Sequence, residues 1–260
     1  MFPIKDNIAA DRFPFVTLAL IAANVVMYFV FQKGGLLDFR GGGLNQSELV
    51  HYGAIPFELT NPGDHCDMVA AGQVACEGQR GVTGVADDQI PTGLTVLTSM
   101  FTHGGILHLA GNLLFLWIFG NNVEDSMGRV RFVLFYLLGG VAALGLQVAI
   151  EPGSMVPTLG ASGAIAGVLG GYILIYPRAR VLTVILIVFF FTIIEIPALL
   201  VLGLWIVQQA VFGALDITNP TGGSGGVAYF AHIGGFVFGL LAIKLFATRR
   251  SDDYRRLVAS

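Results

Sequence analysis

Five stretches of this chain contain no Asp, Glu, Lys or Arg: Phe13–Phe31, His103–Asn121, Phe132–Ile150, Ser162–Tyr176 and Ile196–Leu215. A sixth, Val227–Phe246, carries only Lys244. Helical runs of about 20 apolar residues match the hydrocarbon thickness of a bilayer. The remaining composition agrees, with 12% charged and 55% hydrophobic residues; a soluble domain carries about twice that charge. The expected fold class is an all-α polytopic membrane protein, a bundle of six transmembrane helices over residues 13–247. Short tails, 1–12 and 248–260, flank it.

A further apolar run, Val181–Ile194, is too short to span comfortably. It is expected as a re-entrant or interfacial piece, or as an extension of a neighbouring helix. The six-span count passes a charge test. With the N-terminus inside, the inner segments hold 11 of the 14 Lys and Arg residues, and the outer ones hold only Lys33, Arg40 and Arg80. Basic residues collect on the cytoplasmic side, so both termini are expected there; a seventh span would put the basic tail outside. The first run exceeds a signal h-region and no small-residue cleavage site follows it, so it reads as a retained anchor.

Residues 34–97 form the one sizeable polar region, expected as a long extracytoplasmic loop between helices 1 and 2. It holds the only two cysteines, Cys66 and Cys76. Outside the cytoplasm a disulfide between them is chemically permitted; two free thiols are the alternative. No basic patch or nucleotide loop points to nucleic acid. A formal net charge of −3 says little in a chain mostly hidden in lipid.

Polar residues inside these spans are the chemical signal. Ser162 opens one span in Gly160-Ala161-Ser162-Gly163, and His232 sits early in another, in Ala231-His232-Ile233-Gly234-Gly235. Taken alone, Gly-x-Ser-Gly is a packing motif, because small residues let membrane helices approach closely. An ionisable residue within a span, however, marks function. Both helices run from outside to inside, so serine and histidine lie at matching depth. His108 and Asn112, four residues apart, share a face near the outer end of the second span. His103 lies at that helix mouth, where a structural role is the simpler reading.

A serine needs a base to become a nucleophile, and His232 is the only histidine in the second half of the chain. Imidazole and amide groups facing the serine, with the Ser162 N–H, can donate to a developing oxyanion. No carboxylate qualifies as a third member. Glu195 falls at the cytoplasmic end, and Asp216 has no tie to the site. The expectation is therefore a Ser162–His232 dyad without an acid. No His-Glu-x-x-His pair exists for zinc, no Asp lies within a span, and the His103/His108 spacing suits no metal, so no metal and no cofactor are expected.

In this order and spacing, His103-x4-His108-x3-Asn112, Gly160-Ala161-Ser162-Gly163 and Ala231-His232-x2-Gly235-x3-Gly239 resemble the rhomboid intramembrane serine proteases, from about Leu97 to Phe246. Glu124-x3-Gly128-Arg129 extends the match. The resemblance implies a six-helix core whose site opens to the extracytoplasmic side. It makes Ser162 the nucleophile and His232 the general base, with Asn112, His108 and the Ser162 N–H as oxyanion hole. His103, Gly160, Gly163, Gly235 and Gly239 support them. The implied substrates are single-span transmembrane proteins, cut near the outer face. Two departures stand out. Some relatives carry an aromatic residue one turn after the serine, stacked on the catalytic histidine; here that position is Ala166. The segment between the serine and histidine helices is also lengthened by Val181–Ile194.

Two rival readings remain at this level. A catalytically silent rhomboid-like factor would bind membrane proteins without cutting them, though it would be expected to lose the serine or the histidine. A transporter would distribute polar groups through the membrane depth or show paired half-repeats; Gln147, Gln208 and Gln209 fall only toward the outer ends of their helices. Ser99, Thr102 and Thr158 read as capping hydroxyls that could also hold water near the site. The glycine-rich segment from Ala214 to Gly226 is expected to act as a mobile cover. A bacterial inner membrane is the expected location.

Overall fold

A computed structural model describes residues 2–37, 46–69, 73–79, 82, 90–187, 190–218 and 227–259. Its elements run, in order, β1 (Phe2–Asp6), α1 (Phe15–Val26), α2 (Gln46–Tyr52), α3 (Pro56–Thr60), β2 (Cys66–Val69), β3 (Gln73–Cys76), α4 (Thr92–Thr98), α5 (Ile106–Phe115), α6 (Asn121–Met127), α7 (Arg129–Ile150), α8 (Ser162–Ile175), β4 (Arg180–Ile187), β5 (Phe190–Pro197), α9 (Ala198–Thr218), α10 (Tyr229–Phe246) and α11 (Asp252–Ala259). π-helical turns extend α1 through Met27–Phe31 and join α5 to α6 through Leu116–Gly120.

Among the described residues four helices are long and apolar enough to cross a membrane: Ile106–Met127, α7, α9 and α10. Two shorter apolar helices accompany them, Phe15–Phe31 and α8. The outward surface is apolar, as a lipid-facing one must be: Leu204 on α9 and Leu241 and Leu245 on α10 are 59%, 75% and 83% exposed. The protein is a mostly helical membrane protein.

The fold is not all-α. The run Val181–Ile194 does not extend a neighbouring helix; its described residues, 181–187 and 190–194, lie in two paired strands. β4 pairs antiparallel with β5 from Arg180↔Pro197 to Ile187↔Phe190, and β1 adds on the far side of β4. The physical reason is composition. Val181, Thr183, Val184, Ile185, Thr192, Ile193 and Ile194 are β-branched, which suits a pleated surface better than a helix. β1 comes from the chain's opening residues, which hydropathy alone cannot pair with a segment so distant.

α8 lies at the centre, with all but Ser162 and Leu174 of its residues buried. A helix enclosed by protein can be short, since its neighbours rather than lipid cover its ends. α7 and α10 pack directly against it. Gly235 and Gly239 of α10 abut the carbonyl oxygens of Gly163 and Gly167, where any Cβ would overlap backbone. Such backbone-to-backbone approach is how membrane helices gain van der Waals contact without a hydrophobic driving force.

One end of the bundle gathers both tails. Asp11 and Asp125 pair with Arg249, the latter at 3.1 Å, and Ala9 N–H donates to Asp253 at 3.0 Å. Glu124 of α6 caps α1 by accepting from the Val16 and Thr17 N–H groups at 3.0 and 2.8 Å and from the Thr17 hydroxyl at 2.8 Å. A carboxylate is favourable at a helix N-terminus. Gly128, at φ +81°, makes the break that lets α7 start immediately after α6. Asp6 is buried here, its Oδ2 accepting from the Tyr172 hydroxyl at 2.6 Å and from Asn122 Nδ2 at 2.7 Å. Burial pushes its carboxyl up to about 6 despite those donors.

The other end carries a small lobe built from the polar segment. There the Cys66–Cys76 disulfide joins β2 to β3. The buried Glu58 accepts from the Cys66 N–H at 2.6 Å, and burial raises its carboxyl above the usual range. Ala54 and Thr158 exchange backbone hydrogen bonds of 3.0 and 2.8 Å, tying the lobe to the turn before α8.

Candidate active site

The turn that delivers Ser162 is made by Gly160, whose φ of +116° only glycine adopts without strain. Its N–H donates to the Ser99 carbonyl at 2.9 Å, fixing the turn to the end of α4. Ser162 then opens α8, so its own N–H belongs to the first helical turn, whose donors have no intrahelical acceptor. His232 stands in the first turn of α10, with its backbone N–H bonded to the Ala228 carbonyl at 3.3 Å. The glycine-lined approach of α8 and α10 brings the two side chains together. His232 Nε2 lies 2.7 Å from Ser162 Oγ. Its other nitrogen, Nδ1, lies 2.8 Å from the side-chain oxygen of Gln209 on α9. An amide oxygen only accepts, so Nδ1 carries the proton and Nε2 presents a lone pair to the serine hydroxyl.

His108 takes the opposite tautomer. Its Nδ1 accepts the Gly104 N–H at 3.3 Å, which leaves the hydrogen on Nε2. A Cβ on Gly160 would lie 2.8 Å from that Nε2 and from Cε1. Glycine there has a second use, since it lets the donor edge of the imidazole close on the turn before Ser162. Asn112 donates one amide N–H to the His108 carbonyl at 3.0 Å; the amide has a second. His108, Asn112, Ser162 and His232 all border one cavity of about 280 Å³, whose remaining walls include Phe115, Leu169 and Trp205. Chemically, this is a hydroxyl facing a neutral base, with N–H donors alongside, in an apolar recess.

His103 does not begin a helix. It precedes α5, fully buried, with its N–H donating to Gln32 Oε1 at 2.9 Å and its carbonyl accepting from Gln32 Nε2 at 2.8 Å. Its ring meets that of His108 edge-on at 5.2 Å. Ser99 and Thr102 turn their hydroxyls back to the carbonyls of Val96 and Thr98, at 3.4 and 2.9 Å. Gly163 faces α7, where a Cβ would come within 2.7 Å of Ala143 Cβ. Glu195 lies in β5 opposite Leu182, remote from the pair. Asp216 lies on α9 and is not a partner of either His232 ring nitrogen. The glycines expected in a mobile cover, within residues 219–226, lie outside the described residues. Among the described residues no group of three His, Cys, Asp or Glu side chains converges.

The contacts of three glutamines and a tryptophan were not foreseen from the sequence, although Gln147 and Gln209 were noted as polar residues near the outer ends of their helices. Gln32 braces His103, and Gln147 of α7 accepts the Ala231 N–H at 3.2 Å in the opening turn of α10. Gln209 and Trp205 contact His232, the latter with ring centroids 5.5 Å apart. The available signal was a buried amide within an apolar helix, which costs free energy unless it is hydrogen-bonded.

Fold and site together define a helical membrane protein with a serine–histidine pair in its core. Residues 92–249 match the family model of the Rhomboid domain, and the chain belongs to the rhomboid family. It is 32% identical over 157 residues to the rhomboid protease GluP of Bacillus subtilis, 60% of this chain. It is 30% identical over 161 residues to rhomboid protein 1, mitochondrial, of Saccharomyces cerevisiae, 59% of this chain. It is 31% identical over 149 residues to presenilin-associated rhomboid-like protein A, mitochondrial, of Danio rerio, 56% of this chain. The chain spans 24%, 42% and 36% of those relatives' lengths.

Proposed function

We propose that the protein is an intramembrane serine endopeptidase acting on single-span transmembrane proteins near the extracytoplasmic face. The observation that carries this reading is the 2.7 Å contact between Ser162 Oγ and His232 Nε2. As Ser162 Oγ attacks a scissile carbonyl carbon, His232 Nε2 takes the hydroxyl proton. The carbonyl oxygen becomes an oxyanion, met by N–H donors from Asn112, His108 Nε2 and the Ser162 backbone. Collapse of that intermediate expels the amine, which receives the proton from His232 and leaves an acyl-serine. Water then enters and gives a proton to the same histidine as its oxygen bonds the acyl carbon. Collapse of this second intermediate breaks the bond to Ser162 Oγ, releases the acid and returns the proton from His232 to the serine. Each oxyanion donor contributes about 10²- to 10³-fold in rate in comparable sites. No cofactor takes part.

In this reading six helices cross the membrane, Phe15–Phe31 and α8 included. α8 spans in spite of its length because protein, not lipid, encloses it. The lobe around Cys66 and Cys76 faces an oxidising compartment, where a disulfide persists, and both tails lie in the cytoplasm. An apolar recess lined by Phe115, Leu169 and Trp205 suits the unwound end of a transmembrane segment.

The test is labelling of the detergent-solubilised protein by a fluorophosphonate probe, beside Ser162→Ala and His232→Ala. Labelling of the parent alone is the expected result. A folded parent that resists the probe would mean a rhomboid-like protein that binds without cutting. Labelling of Ser162→Ala would mean another serine is the nucleophile.

A further inference from the structure

The vacancy left by Ala166 raises a question that α9 answers. Ala166 is fully buried and lies against Gly235 of α10, too small to hold an imidazole plane. Yet the His232 ring is bounded on two sides. Trp205 packs on it at 5.5 Å with planes inclined by 40°, inside the range of favourable ring contacts. Gln209 accepts from its Nδ1 at 2.8 Å. These residues are four apart on α9 and so share one face, one turn from each other. Gln209 is among the few buried residues of that helix, 7% exposed. The adjacent Gln208 is exposed and is not a partner of His232.

We propose that Gln209 is a positioning residue for His232, and that with Trp205 it makes alignment of the base depend on how α9 packs against α10. This rests on the serine-protease reading above. The amide oxygen selects the Nδ1–H tautomer, the only neutral form whose Nε2 can accept the Ser162 proton. In the other tautomer Nε2 would itself carry hydrogen and the serine would have no base. The ring's orientation also follows α9, because Trp205 and Gln209 both come from it, while the serine helix contributes only the Ser162 hydroxyl that the base serves. α9 is the least enclosed of the four long helices: of its residues only Ala198, Leu202, Gln209 and Gly213 are buried. A modest shift of this helix therefore withdraws both supports at once while leaving Ser162 in place.

The experiment uses the full chain in detergent micelles with 15N-labelled histidine. His232→Gln identifies the ring signals. The parent is expected to show a protonated Nδ1 and an unprotonated Nε2 at His232. Gln209→Leu, close in volume, should lose that preference and label with the fluorophosphonate probe 10- to 100-fold more slowly. Gln209→Glu keeps an acceptor, so labelling should be retained with the acidic limb of its pH profile moved upward, since a carboxylate favours the imidazolium. Trp205→Phe should behave close to the parent and Trp205→Ala should slow labelling. A parent with hydrogen on Nε2 overturns the proposal. So does Gln209→Leu with parental tautomer, rate and pH profile. If the parent carries the Nδ1–H tautomer, and Gln209→Leu loses it, while no variant reacts with the probe, the positioning role stands and the protease reading falls.

Discussion

Gly239→Ala should damage both the fold and the reaction, and the structure sets the size of each effect. The new Cβ would overlap the Gly167 carbonyl oxygen and come within 2.8 Å of its carbon and 2.9 Å of the Gly171 nitrogen. All three are backbone atoms, so no rotamer change can relieve the clash; α10 must move away from α8. Overpacking of this kind costs about 1–3 kcal/mol, offset by about 0.5–1 kcal/mol from replacing a helical glycine. The Ser162–His232 contact bridges the same two helices at 2.7 Å. A displacement of about 1 Å takes it beyond hydrogen-bond range and can lower the rate by about 10²-fold. Since Gly239 is about two turns below His232, the expected fall in probe labelling is 10- to 100-fold. Gly145→Ala on α7 is the control, because no atom lies within 4 Å of the added Cβ. It should melt at or slightly above the parent temperature and label normally. Thermal unfolding in detergent and labelling rate together decide. If Gly239→Ala matches Gly145→Ala in both, close backbone packing is not what aligns the pair.

Asp6 should make stability pH-dependent. Its folded value of about 6 lies above the reference of 3.8, so folding favours the protonated acid. The stabilisation is complete below about pH 4 and fades as pH rises through about 6, by about 3 kcal/mol in all. Asp6→Asn should flatten that part of the melting curve, and parallel pH curves for parent and variant would refute the assignment. Replacing Cys66 and Cys76 by serine removes a cross-link with a sequence separation of 10. That costs the lobe about 3 kcal/mol on the chain-entropy account. Limited proteolysis should cut the lobe of the double variant first, and unchanged cutting would show that the bridge contributes nothing.

Hydropathy and small-residue spacing made the helices that carry the site legible. Ser162, His232, His108 and Asn112, which border one cavity, stood out because polar residues in apolar helices are costly and therefore conspicuous. α8 was read correctly from Ser162, and its end at Ile175 fell one residue short of the expected Tyr176. What was hidden depended on contacts between distant elements. β1 pairs with β4 across most of the chain, and no local pattern announces a strand that needs so remote a partner. The run Val181–Ile194 gave an ambiguous period because it is apolar almost throughout and so lacks the alternation that marks a half-buried strand. Gln209 was visible as a letter but set aside, since which of two adjacent glutamines faces His232 depends on the rotation of α9. His103 was placed on a helix because its apolar neighbours continue the run; Gly104 and Gly105, the latter at φ +154°, delay the helix until Ile106.

The pairing of Phe2 with Val184 and Asp6 with Val181 also has a clock attached to it. At about 5–20 residues per second of synthesis, the first strand waits roughly ten to forty seconds for its neighbour to leave the ribosome. Until then its ladder groups are unmet, and the hydroxyl of Tyr172 is not yet there for Asp6. A nascent chain stopped short of residue 180 would carry an open, partly apolar strand edge of the kind that invites foreign pairing. Closure of that seam reports that the serine helix and the strand after it have both been made, while α9 and α10, which complete the site, are still to come.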